Sequence, residues 1–175
     1  MNLNINILKI LLVLFVTITT LISCERDDIC IEENTPYFII RFYDVDNPEF
    51  FKSVADIKVE LGGIDGFYED NGLTISAFTD SIAIPVKVTE DITKFKLTVV
   101  KIDEDDNLYE NNDTFELTYT RENDYVSRSC GYKTLYYDVN FNLEDDEDNW
   151  IKTIVPTEDP LNIVNQDAAH VKIYH

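Results

Sequence analysis

The chain is poor in the residues that most often carry chemistry. It has two histidines among 175 residues, His170 and His175, and the second is the last residue. There is no Gly-x-Ser-x-Gly elbow, no glycine loop shaped to cradle a phosphate, and no His-Glu-x-x-His metal pair. With no catalytic triad legible, the chain reads as a non-enzyme. Paired carboxylates of the kind used in glycoside chemistry carry no information, because 34 acidic residues supply a pair anywhere. Cations are scarce as well: 14 Lys and Arg against those 34 give a net charge of −20. That balance repels nucleic acid, which is excluded as a partner, and anionic membrane surfaces. Amphipathic helical periodicity and internal repeats are also missing.

Long apolar runs are limited to one, and it is short. Ile10 to Val16 is continuously apolar behind Met1 and Lys9, and small or polar residues lead to Ser23. A spanning helix needs about 20 apolar residues. The stretch from Ile10 to Ile22 has thirteen, three of them threonine, so it reads as an export signal. Leu21, Ile22, Ser23 and Cys24 resemble the bacterial lipobox. That resemblance implies a signal peptide over residues 1–23, cleavage before Cys24, and lipid attachment there through two or three palmitate-type chains. More than one chain is what stable anchoring requires. The expected address is the cell envelope, with the protein lipid-anchored to the outer membrane. The remaining 152 residues, with 13 basic and 34 acidic side chains and a charge of −21, suffice for one domain with a core.

Three cysteines are present, Cys24, Cys30 and Cys130. With Cys24 given to lipid, two remain in an oxidising compartment where thiols pair, so a Cys30–Cys130 disulfide is expected. A nucleophilic or metal-binding role would need a nearby base or further ligands.

Residues 24–35 read as an acidic tether, with Glu25, Arg26, Asp27 and Asp28 followed by Glu32, Glu33 and Asn34. Acidic residues directly behind a lipidated cysteine resemble the export signal that sends some Bacteroidota lipoproteins to the outer face of the outer membrane. A solvated linker on a periplasm-facing lipoprotein explains the same residues.

From Tyr37 the apolar period is two, the mark of half-buried strands. Phe38, Ile40 and Phe42 share a face; Ile57, Val59 and Leu61 define a second strand, before Gly62, Gly63 and Gly66 break the chain. Asn71 and Gly72 mark a turn before a third strand at Leu73, Ile75 and Ala77. Ile82, Ile84, Val86 and Val88 suggest a fourth strand, with Pro85 arguing for an edge position. Phe95, Leu97 and Val99 are expected to pair in a hairpin with Phe115, Leu117 and Tyr119, and Leu135, Tyr137, Val139, Phe141 and Leu143 to line one core face. Trp150 to Val155 and Ala169 to Tyr174 complete eight or nine strands. The expected fold over residues 36–175 is a single all-β domain, an antiparallel β-sandwich of immunoglobulin-like or transthyretin-like topology, with a small β-barrel as the alternative.

The acidic runs are the only candidates for metal chemistry, since calcium takes six to eight oxygen ligands. Asp103, Asp105 and Asn107 fall at the first three EF-hand positions, but Leu108 replaces the required Gly and Thr114 the bidentate Glu. Asp145 and Asp146 are the candidates of the second run; Asp44 and Asp46 are weaker. Solvated turns explain all of them equally. Asp80, Ser81 and Ile82 fit a tripeptide resembling the Bacteroidota O-glycosylation site, which requires Ser81 to point outward.

Several short blocks resemble a family. They are Thr35 and Pro36; Ile39 to Asp44; Val126 to Lys133 around Cys130; Asn149, Trp150 and Ile151; and His170 to Ile173, together with Cys24 and Cys30. They look like an uncharacterised lipoprotein family of flavobacteria-type Bacteroidota. The resemblance implies lipidation, one domain and a structural cysteine pair, and brings no activity, cofactor or ligand with it. Arg41 and Arg128, in apolar surroundings, are expected to form internal ion pairs. The sequence thus points to a membrane-tethered binding or structural module with an envelope protein or glycan partner and no cofactor. A calcium-dependent module is the rival reading, and an unrecognised envelope enzyme the third.

Overall fold

The computed structural model describes residues 7, 9, 10, 12, 29–30, 35–67, 73–75, 78–103 and 105–175. Alternating side chains build ten strands: β1 (Phe38–Tyr43), β2 (Ile57–Gly63), β3 (Gly66–Phe67), β4 (Leu73–Ile75), β5 (Ser81–Ile84), β6 (Ile92–Ile102), β7 (Leu108–Ser127), β8 (Gly131–Leu143), β9 (Thr153–Pro156) and β10 (Val171–Tyr174). They form two sheets, one ordered β5-β1-β10-β9 and the other β3-β2-β6-β7-β8, with β4 also on β2. The sandwich expectation holds and the barrel alternative does not, since neither sheet closes on itself.

One pairing departs from the expected antiparallel arrangement. β1 runs parallel to β10, with Ile40 opposite Val171 and Phe42 opposite Ile173. Parallel neighbours need a long crossover, and here nearly the whole second sheet lies between them in sequence. The two sheets meet through aromatic rings: Phe38 of β1 lies 6.1 Å from Phe95 of β6 and 6.4 Å from Phe115 of β7. Phe38, Ile40, Phe42, Phe95, Leu97, Leu117 and Ile173 are fully buried between the layers.

Turn chemistry differs from expectation in one place. Gly62 and Gly63 continue β2 and pair with β3. A Cβ on Gly62 would sit 2.8 Å from the Gly66 carbonyl oxygen, and Gly66 itself has φ of 110°, so glycine is what allows this tight return. Pro85 follows β5, which is an edge strand as its proline argued. Val88, expected on the core face, is exposed. The turn at Asn71 and Gly72, and Ala77 of the third strand, lie outside the described residues.

The β6–β7 hairpin forms as expected, with Phe95 opposite Phe115. On β8 the expected face is wrong for its first half. Leu135 and Tyr137 are only partly buried, while Thr134 and Tyr136 point into the core. The cause is a β-bulge: Thr118 pairs with Asn140 but Thr120 with Tyr137, and Asp138 adopts φ of 51°. One extra residue inverts side-chain parity, so Val139 and, beyond it, Phe141 and Leu143 do face the core as expected.

On β7 the buried row of Phe115, Leu117 and Tyr119 continues through two polar residues, Asp113 and Asn111. The Asp113 carboxylate accepts the Trp150 N–H at 3.2 Å and the Ile151 N–H at 2.7 Å. Trp150 Nε1–H then donates to the Leu97 carbonyl at 3.1 Å. Burial pushes the Asp113 pKa up, and those two backbone donors oppose the rise. Cys30 and Cys130 form the expected disulfide, with Cα atoms 4.9 Å apart. It ties the chain ahead of β1 to the turn between β7 and β8, and the Thr35 hydroxyl accepts the Thr134 N–H of β8 at 2.9 Å.

Asp113→Asn puts an amide NH2 against one of two buried N–H groups. It is expected to lower unfolding free energy in urea by about 1–3 kcal/mol, the cost of an unsatisfied buried donor. An unchanged midpoint would contradict the latch. Replacing Cys30 and Cys130 together by serine is expected to lose about 2–5 kcal/mol, and intact-mass measurement after alkylation without reductant should find neither cysteine modified in the native protein.

Candidate functional site

The described carboxylates of the acidic loops hold their own turns. Asp103 Oδ1 accepts the N–H groups of Asp105 and Asn107 at 2.9 and 2.8 Å, which holds the turn and keeps its carboxyl below the usual range. Asp146 accepts the Asp148 N–H at 3.1 Å, and Asn149 closes the same loop through Asp146 N–H and the Glu144 carbonyl. Asp145 is exposed. Among the described residues, no three His, Cys, Asp or Glu side chains converge to hold an ion.

Both histidines take structural positions. His170 is buried just ahead of β10. Its Nδ1 accepts the Ile39 N–H at 2.9 Å, which leaves Nε2–H to donate to the Asn165 carbonyl at 3.1 Å; this fixes a neutral tautomer. His175 Nε2 lies 3.1 Å from the Lys52 carbonyl, with its ring edge-on to Phe42 and Trp150. Burial is the main cause that lowers both pKa values.

Among the described residues, Arg41 and Arg128 form none of the expected internal ion pairs. Arg128 is exposed in the β7–β8 turn. The Arg41 guanidinium stacks 4.7 Å above the Phe51 ring, and its Nε is buried with no hydrogen-bond partner. This arginine belongs to a recess of about 620 Å³ on the outer face of the smaller sheet. Alternation along β1 sends Phe38, Ile40 and Phe42 inward, so Ile39, Arg41 and Tyr43 face out. Register then sets Arg41 between Ser81 of β5 and Lys172 of β10. The segment 157–169 forms the other wall and contributes Glu158, Gln166 and Asp167. Leu161 and Ile163 root that wall: the Val139 N–H donates to the Leu161 carbonyl, and Tyr136 and Ile163 exchange two backbone bonds.

Ser81 does face outward, into this recess, but its hydroxyl donates to the Ile40 carbonyl at 3.1 Å. Nothing in composition distinguished Arg41 from other scattered cations. The usable signal was its position on the polar side of an alternating strand. Cys24 lies outside the described residues, as does most of the acidic tether.

Because the folded pKa values of His170 and His175 are depressed, the unfolded chain binds more protons below its own value of about 6.5. Stability from these groups is complete above that pH and is lost as pH falls toward the folded values. The melting temperature should therefore drop from pH 7 to 5. His170→Asn with His175→Gln, which keep an acceptor for the Ile39 N–H and a donor to the Lys52 carbonyl, should flatten that slope; an unaltered slope would assign it to carboxylates.

Among the described residues no helix is long and apolar enough to cross a membrane. No curated protein and no solved structure matches the chain. Residues 63–175 match a family of unknown function, DUF6452. That stretch runs from the end of β2 to the last residue and takes in the Asp113 latch, Cys130, Lys172 and the segment walling the recess. It covers well over half of the sequence, and the chain therefore belongs to the DUF6452 family.

Proposed function

We propose that the chain is a lipid-anchored protein of the bacterial cell envelope, held on the outer membrane through Cys24, whose β-sandwich binds a protein or glycan partner without transforming it. The observation that carries this reading is the Cys30–Cys130 disulfide. Such bonds persist in oxidising compartments outside the cytoplasm, the address that the apolar leader and the Leu21-Ile22-Ser23-Cys24 ending also call for.

The bond also gives the tether a physical role. Cys24 stands six residues ahead of Cys30, so an acylated Cys24 lies at most about 20 Å of extended chain from the β7–β8 turn. Two tyrosines flank that turn, Tyr125 and Tyr132, 56% and 70% exposed and packed edge to face at 5.4 Å. Amphipathic rings of this kind suit a membrane–water interface. A non-catalytic role is supported by the hydrogen bonds that occupy the histidine rings: His170 Nδ1 accepts the Ile39 N–H and its Nε2 meets the Asn165 carbonyl, and His175 Nε2 meets the Lys52 carbonyl.

Feeding cells an alkyne-tagged palmitate should label the full chain, and Cys24→Ser should abolish both label and membrane fractionation. Equal labelling of wild type and Cys24→Ser, or none of either, would overturn the anchor. Pull-down from envelope extract tests the binding role separately.

A further inference from the structure

The recess on the outer face of β5, β1 and β10 combines three features. Its volume, about 620 Å³, is that of a small-molecule pocket. Its floor carries two adjacent cations, Arg41 and Lys172, at paired positions of the parallel β1–β10 ladder. Among the described residues neither has a carboxylate within 4.0 Å, in a chain of 34 acidic and only 14 basic residues.

Among the described residues Lys101, Arg128 and Lys152 likewise lack an ion pair, while seven other cations have one. Lys58 and Lys96 meet Glu60, Lys94 meets Glu116, Lys52 meets Asp44, and Arg121 meets Asp91. Arg41 instead rests on Phe51 and Lys172 on Tyr43, at 4.7 and 5.2 Å from the ring centroids. Cation–aromatic stacking fixes both groups without neutralising them. The buried Nε of Arg41 is left without an acceptor, a position with a real desolvation cost. That nitrogen is closed to solvent, so an incoming carboxylate would use the terminal guanidinium nitrogens, which take two oxygens side by side.

The walls narrow the choice further. Glu158 and Asp167 line the same recess, which disfavours a dianion and supplies acceptors for hydroxyl groups. Gln166 adds an amide. One negative charge bearing several hydroxyls describes a uronic acid.

We propose that this recess binds a carboxylate-bearing sugar of the uronate class, with Arg41 gripping the carboxylate, Lys172 adding charge, and Glu158 and Asp167 accepting sugar hydroxyls. This names the ligand class for the binding role proposed above and rests on that role, though not on the lipid anchor.

The full chain in detergent, titrated by calorimetry, distinguishes the alternatives with four probes: oligogalacturonate, its neutral methyl ester, inorganic phosphate and inorganic sulfate. Oligogalacturonate should bind and the ester should not. Arg41→Gln should weaken binding about tenfold to a hundredfold, the range for one charge-assisted hydrogen bond, with Arg41→Lys intermediate. Lys172→Met, whose side chain carries no packing role in the core, gives a weaker loss of the same sign should Arg41→Gln fail to fold. Equal binding of acid and ester, binding of phosphate or sulfate in place of the uronate, or no uronate binding at all would overturn the assignment. An envelope partner captured equally by wild type and by folded Arg41→Gln would keep the binding role and remove it from this recess.

Discussion

The smaller sheet exists only because β1 finds β10. Their backbones meet across most of the sequence: the His170 N–H donates to the Ile39 carbonyl at 2.8 Å, and the Ile39 N–H reaches the His170 ring, at a separation of 131 residues. Closing so long a loop is entropically unfavourable, although the penalty grows only slowly with length. What offsets it is apolar burial, since Phe38, Ile40, Phe42, Val171 and Ile173 are all at zero exposure on the inner face. Without this pair, β5 and β9 lose the strands they hydrogen-bond to, and the rings of Phe95 and Phe115 lose their cover. Arg41 and Lys172 would then no longer stand side by side.

Local alternation revealed most strands because each sandwich face has one wet and one dry side. It identified β1, β2, β6, the middle of β7 and the end of β8, and the Pro85 edge. It failed where the backbone changed parity. The αL residue Asp138 carries no sequence mark beyond being an aspartate, a residue that tolerates that conformation, yet it exchanges the fates of Tyr136 and Tyr137. It failed also where polarity concealed burial. Asp113 and Asn111 extend a period-two row of apolar residues, but an acidic stretch looks like a loop until the Trp150 and Ile151 N–H groups it receives are known.

The site was less legible than the fold. Cysteine arithmetic found the disulfide because only two thiols remained to pair. The outer recess depends instead on a register between distant strands, and no local pattern encodes that β1 and β10 run parallel. Charge counting pointed to the 34 carboxylates. The structure shows them holding turns and pairing with lysines, while the scarce cations of the smaller sheet stay unneutralised. In a strongly acidic protein, the informative charges are the minority sign that has escaped pairing.

The disulfide also determines how the molecule carries load. Any tension on the chain ahead of Cys30 enters the fold at Cys130, in the turn joining the two longest strands. It is shared by the β7 and β8 backbones and spreads into the six-stranded sheet. Reduction would reroute the same force to Phe38, peeling at the strand that holds the smaller sheet together.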